Sequence, residues 1–229
     1  MNEPHDLPSG PFSSWLRMTR TAQADGGEAD VPCGECRACC GSSYFVHIAP
    51  KETQTLARIP AKLLFPAPDL PKGTVVMGYD EHGRCPMLRD QGCSIYEHRP
   101  LTCRSYDCRV FAAAKIAADR TAITEQARRW RVSHPTSDDR ARHAAVAAAA
   151  RFLQGHGECF PGGVAPGRPA QVALLAIRVH ELFLEIEGES AARGAATDLE
   201  IVRAVAEIIE PGAALPLDAP PTKSAPAAR

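Results

Sequence analysis

The sequence predicts an α+β protein in which a small cysteine-rich module with short strands packs against a mainly helical C-terminal half. Three observations carry this prediction. Eight of the nine cysteines lie within residues 31–110. The same region holds short runs of β-branched and aromatic residues, the composition of strands. Residues 111–210 are instead rich in alanine and leucine, with apolar residues at helical spacing.

Two further segments flank this body. The N-terminal residues are rich in Pro, Gly, Ser and Asp, with one apolar patch at Phe12, Trp15 and Leu16 that can dock on the body. The C-terminal residues carry five prolines among Ala and Gly, a composition typical of a disordered tail. The predicted segments are a mostly disordered arm (1–30), the cysteine module (31–110), a helical region (111–210) and a disordered tail (211–229).

Within the cysteine module, local patterns place a few short elements. Strands are predicted at 44–48 and 74–79, and a helix at 51–58 follows Pro50. The turn residues 80–83 then predict that 84–88 returns as the hairpin partner of the second strand.

Helices are predicted through the rest of the body. Ser137 is a candidate N-cap, with two acidic residues behind it in the first turn, where the helix dipole favours negative charge. Residues 197–200 form a capping box ahead of apolar residues at helical spacing. The predicted helices are 101–118, 121–132, 138–154, 169–187 and the segment that follows the capping box.

Charge and hydropathy exclude several classes of protein. The chain has 26 basic and 27 acidic residues, so it is not a nucleic-acid binder acting through bulk positive charge. No run of about 18 apolar residues predicts a transmembrane helix. The first residues lack the basic start and apolar stretch of a secretory signal. We therefore expect a cytoplasmic protein with no membrane or nucleic-acid partner, while a protein partner or substrate is not indicated.

The cysteines are the strongest chemical signal. A reducing cytoplasm does not maintain structural disulfides, so clustered cysteines there indicate metal binding or redox chemistry. Cysteines two residues apart can turn both sulfurs toward one metal ion. Buried free thiols or a thiol–disulfide protein are the alternatives. The candidate metal ligands are Cys33, Cys36, Cys39, Cys40, Cys85, Cys93, Cys103 and Cys108.

The spacing favours an iron–sulfur cluster over Zn²⁺, because zinc ribbons show two separate paired-cysteine knuckles and this chain has one compact cluster. If Cys33, Cys36 and Cys39 form one site, Cys85 is the preferred fourth ligand. The other thiols, Cys40, Cys93, Cys103 and Cys108, are then a second site or additional thiols.

Neighbouring residues offer supporting roles. Cys103 is predicted in the first turn of a helix after Pro100, where the dipole would favour the thiolate. His47 or His98 could at most replace one thiolate as a metal ligand. Cys159 lies outside the motif. Arginines that could balance thiolate charge are Arg37, Arg84, Arg89, Arg99, Arg104 and Arg109.

These blocks occur in an order that resembles a known family. They read Cys33-x2-Cys36-x2-Cys39-Cys40, then Cys85-Pro86-x-Leu88, then Cys93-x-Ile95-Tyr96-x2-Arg99-Pro100-x2-Cys103-Arg104. The chain is similar here to the CxxCxxCC cysteine-cluster family, the YkgJ-like group described as zinc- or iron-chelating and iron–sulfur proteins. The resemblance implies metal chelation without a settled role. A similar module in flagellin lysine N-methylases leaves a protein-modifying enzyme as the alternative function.

Overall fold

The architecture is α+β, as predicted, in the computed structural model, which describes residues 6–29, 31–67, 69–90, 92–157, 160, 167–184 and 198–208. The helices of these residues are α1 (Phe12–Asp25), α2 (Thr53–Leu56), α3 (Leu101–Arg104), α4 (Arg109–Ala114), α5 (Thr121–Ala127), α6 (Ser137–Gly155), α7 (Pro169–Val179) and α8 (Asp198–Ile208). The strands are β1 (Leu7–Pro11), β2 (Val46–Ile48), β3 (Leu64–Pro66), β4 (Val75–Met77), β5 (Leu88–Arg89), β6 (Gly92–Cys93) and β7 (Trp130–Ser133).

Helix α6 is the centre of a helical body and packs against α1, α4 and α7. Its inner face is mainly alanine, so the neighbouring helices approach closely. Its N-cap is Thr136, one residue before the predicted Ser137. The Thr136 hydroxyl accepts the Asp139 backbone N–H at 3.1 Å, and the Asp139 carboxylate accepts the Thr136 N–H at 3.0 Å. None of the described helices is both long and apolar enough to cross a membrane.

The N-terminal segment is part of this body rather than a mostly disordered arm over its described residues. The predicted docking patch is confirmed, since Phe12, Trp15 and Leu16 are almost fully buried in the main core. Strand β1 pairs in parallel with β7, and Leu7 lies opposite Trp130. The burial of three large side chains outweighs the weak local propensity of a Pro- and Gly-rich segment.

The cysteine module is built on a three-stranded antiparallel sheet of order β2-β4-β3. Val46 of β2 and Leu64 of β3 both lie opposite Met77 of β4. Its separate core is small, with six buried residues: Val46, Ile48, Ile59, Met77, Met87 and Ile95. Apolar burial alone therefore gives this module little stability compared with the helical body.

The predicted hairpin between 74–79 and 84–88 is wrong. Strand β4 pairs with β2 and β3, and residues 85–88 form a turn that leads into the β5–β6 hairpin. Pro86 has no N–H for a ladder, and the Cys85 N–H is used elsewhere.

Two predicted helices are shorter than the pattern suggested. Residues 101–118 break into α3 and α4, because the Asp107 side chain accepts the Arg109 backbone N–H at 2.8 Å and competes with the helical hydrogen bonds. The predicted helix 121–132 ends at Ala127, since Trp130–Ser133 pairs with the distant β1. The tail 211–229, Cys159 and the end of the predicted helix 169–187 lie outside the described residues.

Candidate metal centre

Three thiols from separate parts of the chain pack on the small core of the module, and a fourth, that of Cys40, is electrostatically coupled to them. The Cys85 N–H donates to the Cys40 carbonyl at 2.7 Å, which joins the motif's first and second blocks. Cys93 lies on β6 opposite Leu88, so the β5–β6 hairpin returns it toward Cys85. Cys103 lies on α3, and the thiols of Cys85, Cys93 and Cys103 pack against the same apolar core. We call Cys40, Cys85, Cys93 and Cys103 the inner group.

The sulfurs of the inner group are close enough to influence one another's ionisation. Burial raises the pKa of Cys85, Cys93 and Cys103, and a negative charge on Cys40 raises each pKa further. Cys85 and Cys93 also raise the pKa of Cys103. Four thiols in one place cannot all ionise without a positive charge between them.

The backbone supplies hydrogen-bond donors to two of these sulfurs. Burial is the largest effect on Cys85 and raises its pKa, but the N–H groups of Met87 and Leu88 donate to its sulfur and lower it. At Cys93, burial likewise raises the pKa and the Ile95 N–H lowers it. Both turns thus present N–H groups to a sulfur, the arrangement that stabilises a thiolate ligand.

The other thiols of the motif form an outer group, Cys33, Cys36, Cys39 and Cys108. Cys33 and Cys36 are joined by a tight turn in which the Cys36 N–H donates to the Cys33 carbonyl at 2.7 Å. The turn requires Gly34, whose φ of +50° is unfavourable for other residues. Cys108 is electrostatically coupled to both, while Cys39 is coupled to Cys40 and Cys103 and, less strongly, to Cys33. Cys39 and Cys108 pack against the core of the helical body.

Cys108 is held in an apolar setting. Burial raises its pKa to about 12, and the nearby Trp130 indole N–H has the opposite effect. The same chain segment is anchored by Asp107, which accepts the Trp15 indole N–H at 3.1 Å and pairs with Arg109 at 2.9 Å. Asp107 is thus a buried structural carboxylate, while Glu35 is exposed.

Cys39 and Cys40 connect the two groups. They lie in a 3₁₀ turn (Cys39–Gly41), so their side chains do not alternate as they would in an extended strand. The Cys39 thiol donates a hydrogen bond to the Cys40 sulfur, which raises the pKa of Cys39 and lowers that of Cys40 to about 7. Cys40 is therefore readily ionised near neutral pH.

Arg99 is the arginine that faces the thiols. Burial raises the pKa of Cys33, Cys93 and Cys103, and the Arg99 guanidinium opposes this rise at all three. Arg99 is held by stacking on the Tyr96 ring at 3.7 Å and by donating to the Tyr96 carbonyl at 2.9 Å.

The other arginines of the motif have different partners. Arg84 pairs with Asp80, and Arg104 pairs with Glu28 and lies 4.0 Å from Glu52. Arg37 and Arg89 donate to backbone carbonyls, and Arg109 pairs with Asp107.

The backbone contacts and electrostatic couplings favour a partition that differs from the predicted one in one exchange. Cys85 lies with the inner group instead of with Cys33, Cys36 and Cys39, because its backbone is bonded to Cys40. Cys108 takes its place in the outer group. The predicted dipole effect on Cys103 is wrong, since α3 has only four residues and burial raises the thiol's pKa.

All eight motif cysteines are free thiols. Among the described residues, no three Cys, His, Asp or Glu side chains are already arranged to hold a metal ion. The donor chemistry nevertheless fits a soft metal, because thiolates select zinc, iron or iron–sulfur clusters. His47 lies on β2, and burial lowers its pKa, so the ring is neutral at pH 7.

The motif's family is recognised by comparison with family models. A model for the CxxCxxCC family, described as "Putative zinc- or iron-chelating domain", matches residues 32–130. It covers the whole cysteine module and extends into the helical body as far as Trp130. Searches of the curated proteins and of the solved structures found no match to the chain. Nothing in these comparisons supports the methylase alternative.

Proposed function

We propose that this chain chelates metal through its CxxCxxCC domain, with the inner and outer groups as two adjoining sites. The observation that supports the proposal is the electrostatic coupling among Cys40, Cys85, Cys93 and Cys103, which come from three separated chain segments. Backbone N–H groups donate to two of those sulfurs, and Arg99 provides a nearby positive charge. Packing does not require four thiols in one place, whereas a four-thiolate metal site does.

The inner group is the candidate for a single zinc or iron ion. Its ligands lie on short loops and one helical turn, and a metal ion at their centre would supply the positive charge that four thiolates need. The residues would hold the ion, exclude water from it through the adjoining apolar core, and orient the sulfurs through the N–H groups of Met87, Leu88 and Ile95.

The outer group is the candidate for an iron–sulfur cluster. Cys33, Cys36 and Cys39 keep the spacing of three thiols within seven residues, and Cys108 is the distant fourth. Such a cluster would supply electron-transfer chemistry when bound. The chain contributes the tight turn at Gly34 and the apolar wall formed by the helical body.

Anaerobic purification followed by analysis of iron, zinc and acid-labile sulfide tests this proposal. We expect at least one metal per chain, with a visible absorption spectrum and sulfide if a cluster is bound. Cys103→Ser should remove the metal of the inner group and Cys108→Ser that of the outer group. Cys159→Ser, outside both groups, should leave the metal content unchanged. Full metal retention in both Cys103→Ser and Cys108→Ser, or a metal-free anaerobic protein, would refute the proposal.

A further inference from the structure

A second feature of the molecule is a cavity of about 350 Å³ at the junction of the cysteine module and the helical body. It lies between α1, α3, α4 and α7, and none of the motif cysteines lines it. Its walls are mostly apolar, with Ala22, Leu101, Val110, Phe111 and Leu174 among them. The volume suits a small organic molecule.

Among the described residues that line this cavity, Gln23 and Tyr106 carry buried polar atoms that make no hydrogen bond. Gln23 lies in the last turns of α1, and neither its carboxamide oxygen nor its nitrogen is exposed or hydrogen-bonded. A buried amide that makes no hydrogen bond destabilises the folded protein. Buried polar groups are normally paired, so this carboxamide points to a ligand that pairs with it.

The charges around the cavity restrict the class of ligand. The described residues that line it include no lysine or arginine. The Glu52 carboxylate accepts the N–H groups of Ala49 at 2.8 Å and Leu101 at 2.6 Å. Asp107 is occupied by Trp15 and Arg109. These carboxylates are already satisfied and do not invite a cation, while their charge disfavours an anion.

We propose that this cavity binds a small neutral molecule with an apolar body and an amide-type edge, in which a hydrogen-bond donor lies beside an acceptor. The edge pairs with the Gln23 carboxamide, and the body contacts the apolar wall. This site is separate from the thiols, so it stands whether or not the metal-binding proposal is correct.

Benzamide is a suitable probe, because it combines a primary amide with an apolar ring. We expect calorimetry on the full-length, metal-loaded chain to show saturable binding of benzamide. Benzoate, which has the same shape and a negative charge, should bind at least about tenfold more weakly. Gln23→Leu should weaken benzamide binding about tenfold or more. Gln54→Leu, an exposed glutamine on α2, is the matched control and should have no effect.

The stability of the ligand-free protein provides a second readout. An unpaired carboxamide destabilises the free fold, so Gln23→Leu should raise the Tm while it abolishes binding. If water satisfies the carboxamide instead, Gln23→Leu will lower the Tm. That result would overturn the proposal, as would equal binding of benzamide by wild type and Gln23→Leu, or no saturable binding at the solubility limit of benzamide.

Discussion

At the scale of single residues, Arg99 shows why proximity in sequence does not identify the residue that balances thiolate charge. Six arginines lie in or beside the motif, and all six have carboxylate or carbonyl partners. Arg99 differs from the others because it opposes the effect of burial on the pKa of four thiols, those of Cys33, Cys40, Cys93 and Cys103. Its position depends on the Tyr96 ring, which also explains the place of that aromatic residue in the motif.

Replacing Arg99 should therefore loosen the bound metal. We expect Arg99→Met to speed the transfer of metal to a competing chelator by about tenfold, the usual effect of removing a residue that supports metal ligands. Arg84→Met is the control, because Arg84 pairs with Asp80 and influences no described thiol. Equal transfer rates for the two variants would show that Arg99 does not act on the site.

A second residue-scale prediction concerns His143 and pH. Its Nδ1 lies 2.8 Å from Nε2 of His134, and its ring stacks on Phe12 at 4.4 Å. Burial, with the positive charges of His134 and Lys115, lowers its pKa from 6.5 to about 4, against a smaller opposing effect of the Ala112 and Ala113 carbonyls. Between these two values the unfolded chain binds more protons than the folded chain, so stability falls as pH decreases from 6.5 toward 4.

Solvent screening limits the size of this pH-dependent loss of stability. After allowance for partial exposure, the loss is about 1–2 kcal/mol. We expect the difference between wild type and His143→Gln in the free energy of unfolding to change by this amount between pH 7 and pH 4.5, measured in urea at fixed metal content. Parallel curves for the two proteins across this range would argue against a buried neutral imidazole.

At the scale of elements, the order of the inner group depends on one contact between two loops. The Ser43 N–H donates to the Gly83 carbonyl at 2.9 Å. Two residues after Gly83, the Cys85 N–H donates to the Cys40 carbonyl. Both residues have positive φ, +57° at Ser43 and +74° at Gly83. A Cβ atom on residue 83 would lie 2.3 Å from the Ser43 hydroxyl oxygen, so this hydroxyl, which donates to the Gly83 carbonyl at 3.4 Å, would have to rotate away.

Gly83→Ala should therefore destabilise the chain more than Gly34→Ala. Both substitutions place alanine at a positive φ, which costs about 1 kcal/mol, but a Cβ at residue 34 meets no atom within 4 Å. The clash at residue 83 adds to the cost, for a total of about 2 kcal/mol. Urea unfolding of both variants measures the difference, and metal analysis should show a loss at the inner group only for Gly83→Ala. A smaller effect at residue 83 than at residue 34 would contradict this account.

The observed elements also show which parts of the fold local sequence patterns can predict. Strands β2 and β4 and helices α6, α7 and α8 were predictable, because their apolar spacing and caps lie within one short window. The pairing of β1 with β7 was not, since Leu7 and Trp130 are far apart in the chain and only the packing of α1 brings them together. The exchange of Cys85 for Cys108 has the same origin, because it depends on a backbone hydrogen bond between distant loops.

At the scale of the whole molecule, the two halves differ in what stabilises them. The helical body has a large continuous core into which α1 also packs. The cysteine module has six buried core residues and a sheet of three-residue strands. Metal binding can contribute about 10 kcal/mol or more to folding in a small domain with thiolate ligands. The module is therefore the part whose folding should depend on metal.

Removal of metal should speed hydrogen exchange in the cysteine module but not in the helical body. After anaerobic treatment with a chelator, we expect amides of β2 and β4 to exchange at least about a hundredfold faster, while amides of α6 and α7 keep their protection. Cys103→Ser should reproduce this pattern without chelator, and Cys159→Ser should not. Because Trp15 donates to Asp107 beside Cys108, exchange at the indole N–H of Trp15 reports whether the junction opens with the module. Unchanged exchange in β2 and β4 after complete metal removal would mean that the small apolar core suffices, and the thiols would then have no role in folding.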